Sequence, residues 1–286
     1  MIRLITNADD FGLTRSVTDA IIDSHLNGIM TSTTIMVNTE GTDYAIGKAK
    51  EITSLGVGIH FNLTEGKPLS DPNQVPDLLN EDGRFKSNEE QRRNLLFGKQ
   101  KLIQAKRELQ AQLEYLLDNN LTPTHYDSHH HITGVPVSFR ASMEVAKQFN
   151  IRKARITNID FWYQPGYSNF PRQLKNTLLS FPKSFIHHKN KRVLRNNGFT
   201  TPDYKVLPAR VYPFDINHIN QFVNTLSVLK GGVTEISFHP GYPNSNPRDA
   251  ERTAQLRPKD LEVAKSEIIK NYIRENNIQL INYRSL

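Results

Sequence analysis

Asn7-Ala8-Asp9-Asp10-Phe11-Gly12 sets two adjacent carboxylates and a glycine directly after the apolar run Ile2–Ile5, which only Arg3 interrupts. Adjacent aspartates repel, and burial favours neither unless a cation or a proton lies between them. Just past a strand end, such a pair is a natural start for a metal-dependent active site. Taken alone, it is more often a solvent-exposed dipeptide, or a cap for the helix expected from near Thr14. Later segments shift that balance.

Thr124-His125-Tyr126-Asp127-Ser128-His129-His130-His131 brings four histidines and an aspartate together. Such a run is costly to bury and unusual as mere surface. On an extended chain residues 125, 127, 129 and 131 share a face and 130 points away. A metal can use one or two of that row, with Asp127 orienting an imidazole; the bland alternative is a solvated His-rich turn. Val57-Gly58-Ile59-His60-Phe61-Asn62 sets a histidine within an otherwise buried strand, which in isolation reads as a satisfied core residue. Glu235-Ile236-Ser237-Phe238-His239-Pro240-Gly241-Tyr242 delivers a histidine from a strand into a Pro-Gly turn. Each bland explanation stands alone, but all must hold together. The combined set reads as one metal-hydrolase constellation.

The elements that position these groups alternate. Strands are expected at Ile2–Thr6, Thr33–Val37, Val57–Phe61, Thr124–Asp127, Ile151–Ile156, Val233–Phe238 and Ile278–Tyr283. Helices are expected at Val17–Asn27, Thr42–Ala49, Asn88–Leu117, Val137–Phe149, His218–Leu229 and Pro258–Asn276. Alternation of this kind predicts a parallel sheet with crossover helices. The fold class is therefore α/β: a single-domain (β/α) barrel, distorted or incomplete, of about seven strands. Chemistry in such barrels sits at the strand C-terminal ends, where all four motifs fall.

The chain has 286 residues, no cysteine and a net charge of +7. Thiolate sites and disulfides are excluded, so a metal must be held by His, Asp, Glu or backbone oxygens. No apolar run approaches a membrane span. The N-terminus enters a strand-like segment without a signal-peptide hydrophobic region, so a cytoplasmic location is the expectation. Between Asp160 and Asp203 there is no acidic residue, while Arg172, Lys175, Lys183, Lys189, Lys191, Arg192 and Arg195 carry charge equal to the whole surplus. Interleaved Phe161, Trp162, Tyr163, Tyr167 and Phe170 suggest a folded basic insertion near residues 160–208 beside a cleft. No nucleic-acid motif accompanies it.

With these residues in place, the chain resembles the YdjC-like carbohydrate deacetylases, which include chitooligosaccharide deacetylases. The resemblance rests on Asn7–Gly12, Thr31-Ser32-Thr33-Thr34, Gly58-Ile59-His60-Phe61-Asn62-Leu63-Thr64, Gly66-Lys67-Pro68-Leu69, Pro123–His131 and His239-Pro240-Gly241. It runs from Ile2 to the terminal Ile281-Asn282-Tyr283 and is weakest across the basic insertion. It implies Asp9 as general base, Asp10, His60 and His129 as metal ligands, His239 as general acid and Arg155 as the arginine near the cleft. Thr133 stands where several members carry a further histidine, which bears on substrate contacts around His131.

The implied cofactor is one divalent metal ion, Mg2+ or Zn2+, and the implied substrate an N-acetylated oligosaccharide of short chitin type. The basic charges would suit a phosphorylated sugar, and Trp162, Tyr163 and Tyr167 could stack on sugar faces. A homodimer is also implied; nucleic acid and membrane are not. A phosphoester hydrolase on the same barrel is the alternative, and a non-catalytic sugar-binding protein would leave Asp9 and His239 without a purpose.

Overall fold

The computed structural model describes residues 1–155, 189–206, 218–247, 249 and 251–286, with no side-chain description at 251 and 252. Among the described residues seven strands form, all parallel: β1 Ile2–Phe11, β2 Ser32–Ile35, β3 Gly56–Phe61, β4 Tyr126–Ser128, β5 Tyr204–Val206, β6 Gly232–Phe238 and β7 Gln279–Leu280. Their order is β4-β3-β2-β1-β6-β5, with β7 against β1. One edge of β1 is shared, since Arg3 and Leu4 pair with β7 while Asn7 onward pairs with β2. The sheet curls into a barrel-like form. Isolated bridges Tyr126↔Ala154 and Lys153↔Thr200 continue its hydrogen bonding from β4 toward the segment that leads into β5.

Period-two alternation sorts the strand residues. Leu4, Ala8, Ile35, Ile59 and Ile236 join the main core with helical residues such as Val17, Ile21, Leu109 and Leu113. Ile5, Val233, Ile281 and Tyr283 pack together inside the barrel as a floor. Above that floor the inward positions turn polar, which is where the site lies.

Several local expectations are corrected. Ile151–Ile156 is not a regular strand; among its described residues only Lys153 and Ala154 form bridges. Tyr204–Val206, within the range read as the basic insertion, is a strand of the sheet. The helix expected across Asn88–Leu117 is two, Asn88–Asn94 and Lys99–Asp118, because Leu95 turns into the core and Gly98 takes a φ of 121°. The helix expected from Pro258 begins at Glu251, contains Pro258, ends at Lys265 and resumes over Glu267–Glu275. The last strand shortens to Gln279–Leu280 before a 3-10 turn over Tyr283–Ser285. No described helix is long and apolar enough to cross a membrane.

Candidate active site

Two neighbouring residues of a regular strand point to opposite faces. Asp9 and Asp10 escape that rule because the β1–β2 register shifts between Ala8 and Phe11, and Asp10 takes a φ of 71°. The irregularity re-aims one carboxylate so that both reach the barrel mouth. Gly12 completes the turn at φ 88°, where an added Cβ would come 2.9 Å from the Met36 carbonyl oxygen. The helix that follows, Arg15–Leu26, is capped by Thr14, whose side chain accepts from Val17 N at 3.1 Å. The aspartates therefore do not cap it; they are buried.

Asp10 faces two imidazoles. Its Oδ1 lies 3.1 Å from His129 Nδ1 and 3.5 Å from His60 Nε2, and its Oδ2 accepts from Arg257 Nη2 at 2.9 Å. One ligand atom from each of Asp10, His60 and His129 falls within a common 4.8 Å. The outer nitrogen of each ring also meets a carboxylate: His60 Nδ1 is 2.6 Å from Asp127 Oδ1, and His129 Nε2 is 3.0 Å from Glu65 Oε2. One carboxylate and two imidazoles, each ring oriented from behind, fit a divalent cation. Burial lowers the His60 pKa, but Asp127 and Asp10 outweigh it and raise it to about 10. This is the signature of a ring turned toward negative charge. Asp9, His60 and Asp127 form a second convergent group. There, however, both carboxylates already pair with the Arg155 guanidinium, so a cation is in place.

Asp9 is held differently. Arg155 donates to it twice, Nη2 to Oδ1 at 2.6 Å and Nη1 to Oδ2 at 2.8 Å, and Asn7 Nδ2 adds a bond of 3.0 Å. Burial alone would raise the Asp9 pKa; the charge and hydrogen bonds of Arg155 outweigh it and hold the carboxyl well below the usual carboxylate range. Arg155 also pairs with Asp127 and, through Nε at 2.6 Å, with Glu235 Oε1. His239 follows β6, and its Nε2 is 3.7 Å from Asp9 Oδ2. Its backbone N–H donates to Asp260 Oδ2 at 2.7 Å. At 15 % side-chain exposure it stands at the mouth, where a substrate can reach it.

All six residues singled out from the sequence, Asp9, Asp10, His60, His129, Arg155 and His239, thus come to one end of the barrel. The extended row 125-127-129-131 is corrected: His130 and His131 take left-handed φ values of 51° and 52°, and the chain turns away after Ser128. Arg92 Nη2 donates to both of their carbonyls. His125 lies deep in the barrel, stacked on Tyr283. The His130 ring lies beside that of His129, with Nδ1 3.0 Å from Thr64 Oγ1. Thr133 bonds Ser128 Oγ and closes the turn. Trp162, Tyr163 and Tyr167 lie outside the described residues.

Sequence reading missed Glu65, Glu235, Arg257 and Tyr283. Glu65 had a signal, because it follows β3 by four residues in a Thr64-Glu65-Gly66 loop. Arg257 had none, being one cation among several on the helix Glu251–Lys265.

Comparison with known proteins matches the chain to a family model described as YdjC-like protein, over residues 3–275. A carbohydrate deacetylase of Clostridium beijerinckii is 32% identical over 284 residues, covering 99% of this chain and 100% of the relative. Carbohydrate deacetylases of Brevibacillus brevis and Geobacillus stearothermophilus are 32% and 31% identical, over 99% and 98% of this chain and 99% and 96% of theirs. A solved Enterococcus faecalis structure, provisionally described as a cellobiose-phosphate cleavage protein, superposes with a TM-score of 0.81. Its identity is 24%, and the match covers 99% of this chain and 98% of that one.

Proposed function

This chain belongs to the YdjC-like protein family, and from that membership we propose a carbohydrate deacetylase that uses one divalent ion to remove N-acetyl groups from short chitin-type oligosaccharides. The observation that carries this reading is the meeting of Asp10, His60 and His129 beside a separate, arginine-clamped Asp9. Hydrolysis of an acetamide needs a place for a cation and a carboxylate not consumed in holding it, and these two groups supply both.

Asp10, His60 and His129 would hold the ion, which supplies Lewis-acid polarisation of the acetyl carbonyl and acidifies water. Asp127 and Glu65 orient the two rings from behind. Asp9, kept ionised by Arg155, accepts the proton of the attacking water. His239, on the Asp9 side of the mouth, gives a proton to the departing sugar nitrogen. The C–N bond breaks, the acetyl carbon leaves as acetate and the sugar leaves as the free amine. Two imidazoles favour Zn2+ or a similar transition ion, while the carboxylate and added waters admit Mg2+.

Acetate release from N-acetylglucosamine mono-, di- and trisaccharides, each with and without a 6-phosphate, tests the reading. Acetate from the oligosaccharides supports it. Phosphate without acetate moves the chemistry to the phosphoester bond.

A further inference from the structure

Below the site, the barrel interior holds a buried polar chain that the proposed chemistry does not use. Glu235 of β6 is fully buried, and it engages Arg155 and Tyr283 at once. Its Oε1 accepts from Arg155 Nε at 2.6 Å and its Oε2 from the Tyr283 hydroxyl at 2.7 Å. Tyr283 itself is fully buried, three residues from the C-terminal Leu286. Its ring lies flat on His125, with centroids 3.5 Å apart and planes at 7°. His125 reaches that position because Gly58 has no side chain: a Cβ there would stand 2.5 Å from the His125 ring.

The geometry fixes Arg155 from behind. A guanidinium that donates two parallel bonds to a carboxylate is a planar fork whose direction depends on its Nε end. Here Nε is pinned by one oxygen of Glu235, and Tyr283 pins the other oxygen so that the carboxylate cannot swing. Lys205 of β5 stands opposite Glu235 in register and is also buried.

We propose that Glu235 and Tyr283 are positioning residues which, through Arg155 Nε, aim the guanidinium fork that holds Asp9, so that the C-terminal turn controls the rate of the chemical step without touching substrate or metal. This rests on the reading of Asp9 and Arg155 as parts of a deacetylase site.

The test compares Tyr283→Phe and Glu235→Gln with wild type by acetate release, each alone and combined with Arg155→Lys, together with bound metal per chain. Tyr283→Phe removes only the hydroxyl and keeps the stacked ring, so it carries the test if Glu235→Gln fails to fold. The expected result is a kcat loss of about tenfold for Tyr283→Phe and ten- to a hundredfold for Glu235→Gln. KM and metal content stay within twofold. In the Arg155→Lys background, which has no Nε to pin, the further loss falls to within twofold. Unchanged kcat in both folded variants overturns the relay, as does an undiminished further loss in the Arg155→Lys background. A wild-type kcat for Arg155→Lys alone overturns the deacetylase-site reading instead.

Discussion

Asp127 Oδ1 lies 2.6 Å from His60 Nδ1, while its other oxygen meets the Arg155 guanidinium. One carboxylate therefore braces both the ring proposed to hold the metal and the arginine that clamps Asp9. Loss of its charge should loosen both. Asp127→Asn is expected to weaken metal binding ten- to a hundredfold, with a parallel fall in turnover. Metal titration of the stripped protein measures the first and acetate release the second; wild-type affinity in a folded variant contradicts the role.

The separation of Asp9 from the Asp10–His60–His129 group predicts that the two can be lost independently. Asp9→Asn should keep its metal and lose at least a hundredfold in kcat. Asp10→Asn and His129→Ala should lose metal. Metal content read beside turnover distinguishes these outcomes, and a fully active, metal-free His129→Ala protein contradicts the assignment.

Lys205 gives a prediction about stability. Burial, with Arg155 nearby, lowers its pKa from 10.5 to about 8, against the opposing pull of Glu235, Asp9 and Asp127. Below about pH 8 both folded and unfolded chains carry the charge, and the folded state bears the whole penalty. Between that pH and 10.5 the unfolded chain binds more protons, so this contribution to stability rises with pH. Lys205→Met should therefore stabilise at pH 7 by at most about 3 kcal/mol, with the gain shrinking by about pH 10. Denaturant unfolding at the two pH values reads the difference; a gain independent of pH contradicts it.

Gly58 is predicted to tolerate no side chain. The Cβ of Gly58→Ala would displace the His125 ring from Tyr283, so a stability loss of about 1–3 kcal/mol is expected. Thermal unfolding measures it, and an unchanged midpoint contradicts the packing account.

What the sequence made legible follows from how each residue declares itself. Asp9, Asp10, His60, His129 and His239 lie at or just past strand ends, and in a barrel that position alone converges distant residues. Arg257 reaches Asp10 across 247 residues from a helix with many charges, and Glu235 lies inside a strand that reads as core. Their importance comes from pairings that no local pattern encodes. The His125–His131 row failed for another reason: period-two facing assumes an extended chain, and left-handed backbone at His130 and His131 ended it. The long helix around Leu95–Gly98 broke because burial of Leu95 and the positive φ of Gly98 overrode a continuous apolar stripe.

The central claim is that Asp10, His60 and His129 hold a divalent ion required to cleave an acetamide. It is tested most directly by stripping the protein of metal, adding back Zn2+ or Mg2+, and measuring acetate released from an N-acetylglucosamine disaccharide. The account predicts no acetate from the stripped protein and recovery as the ion is restored, with no recovery in His129→Ala. Undiminished acetate release from the stripped wild-type protein would contradict it.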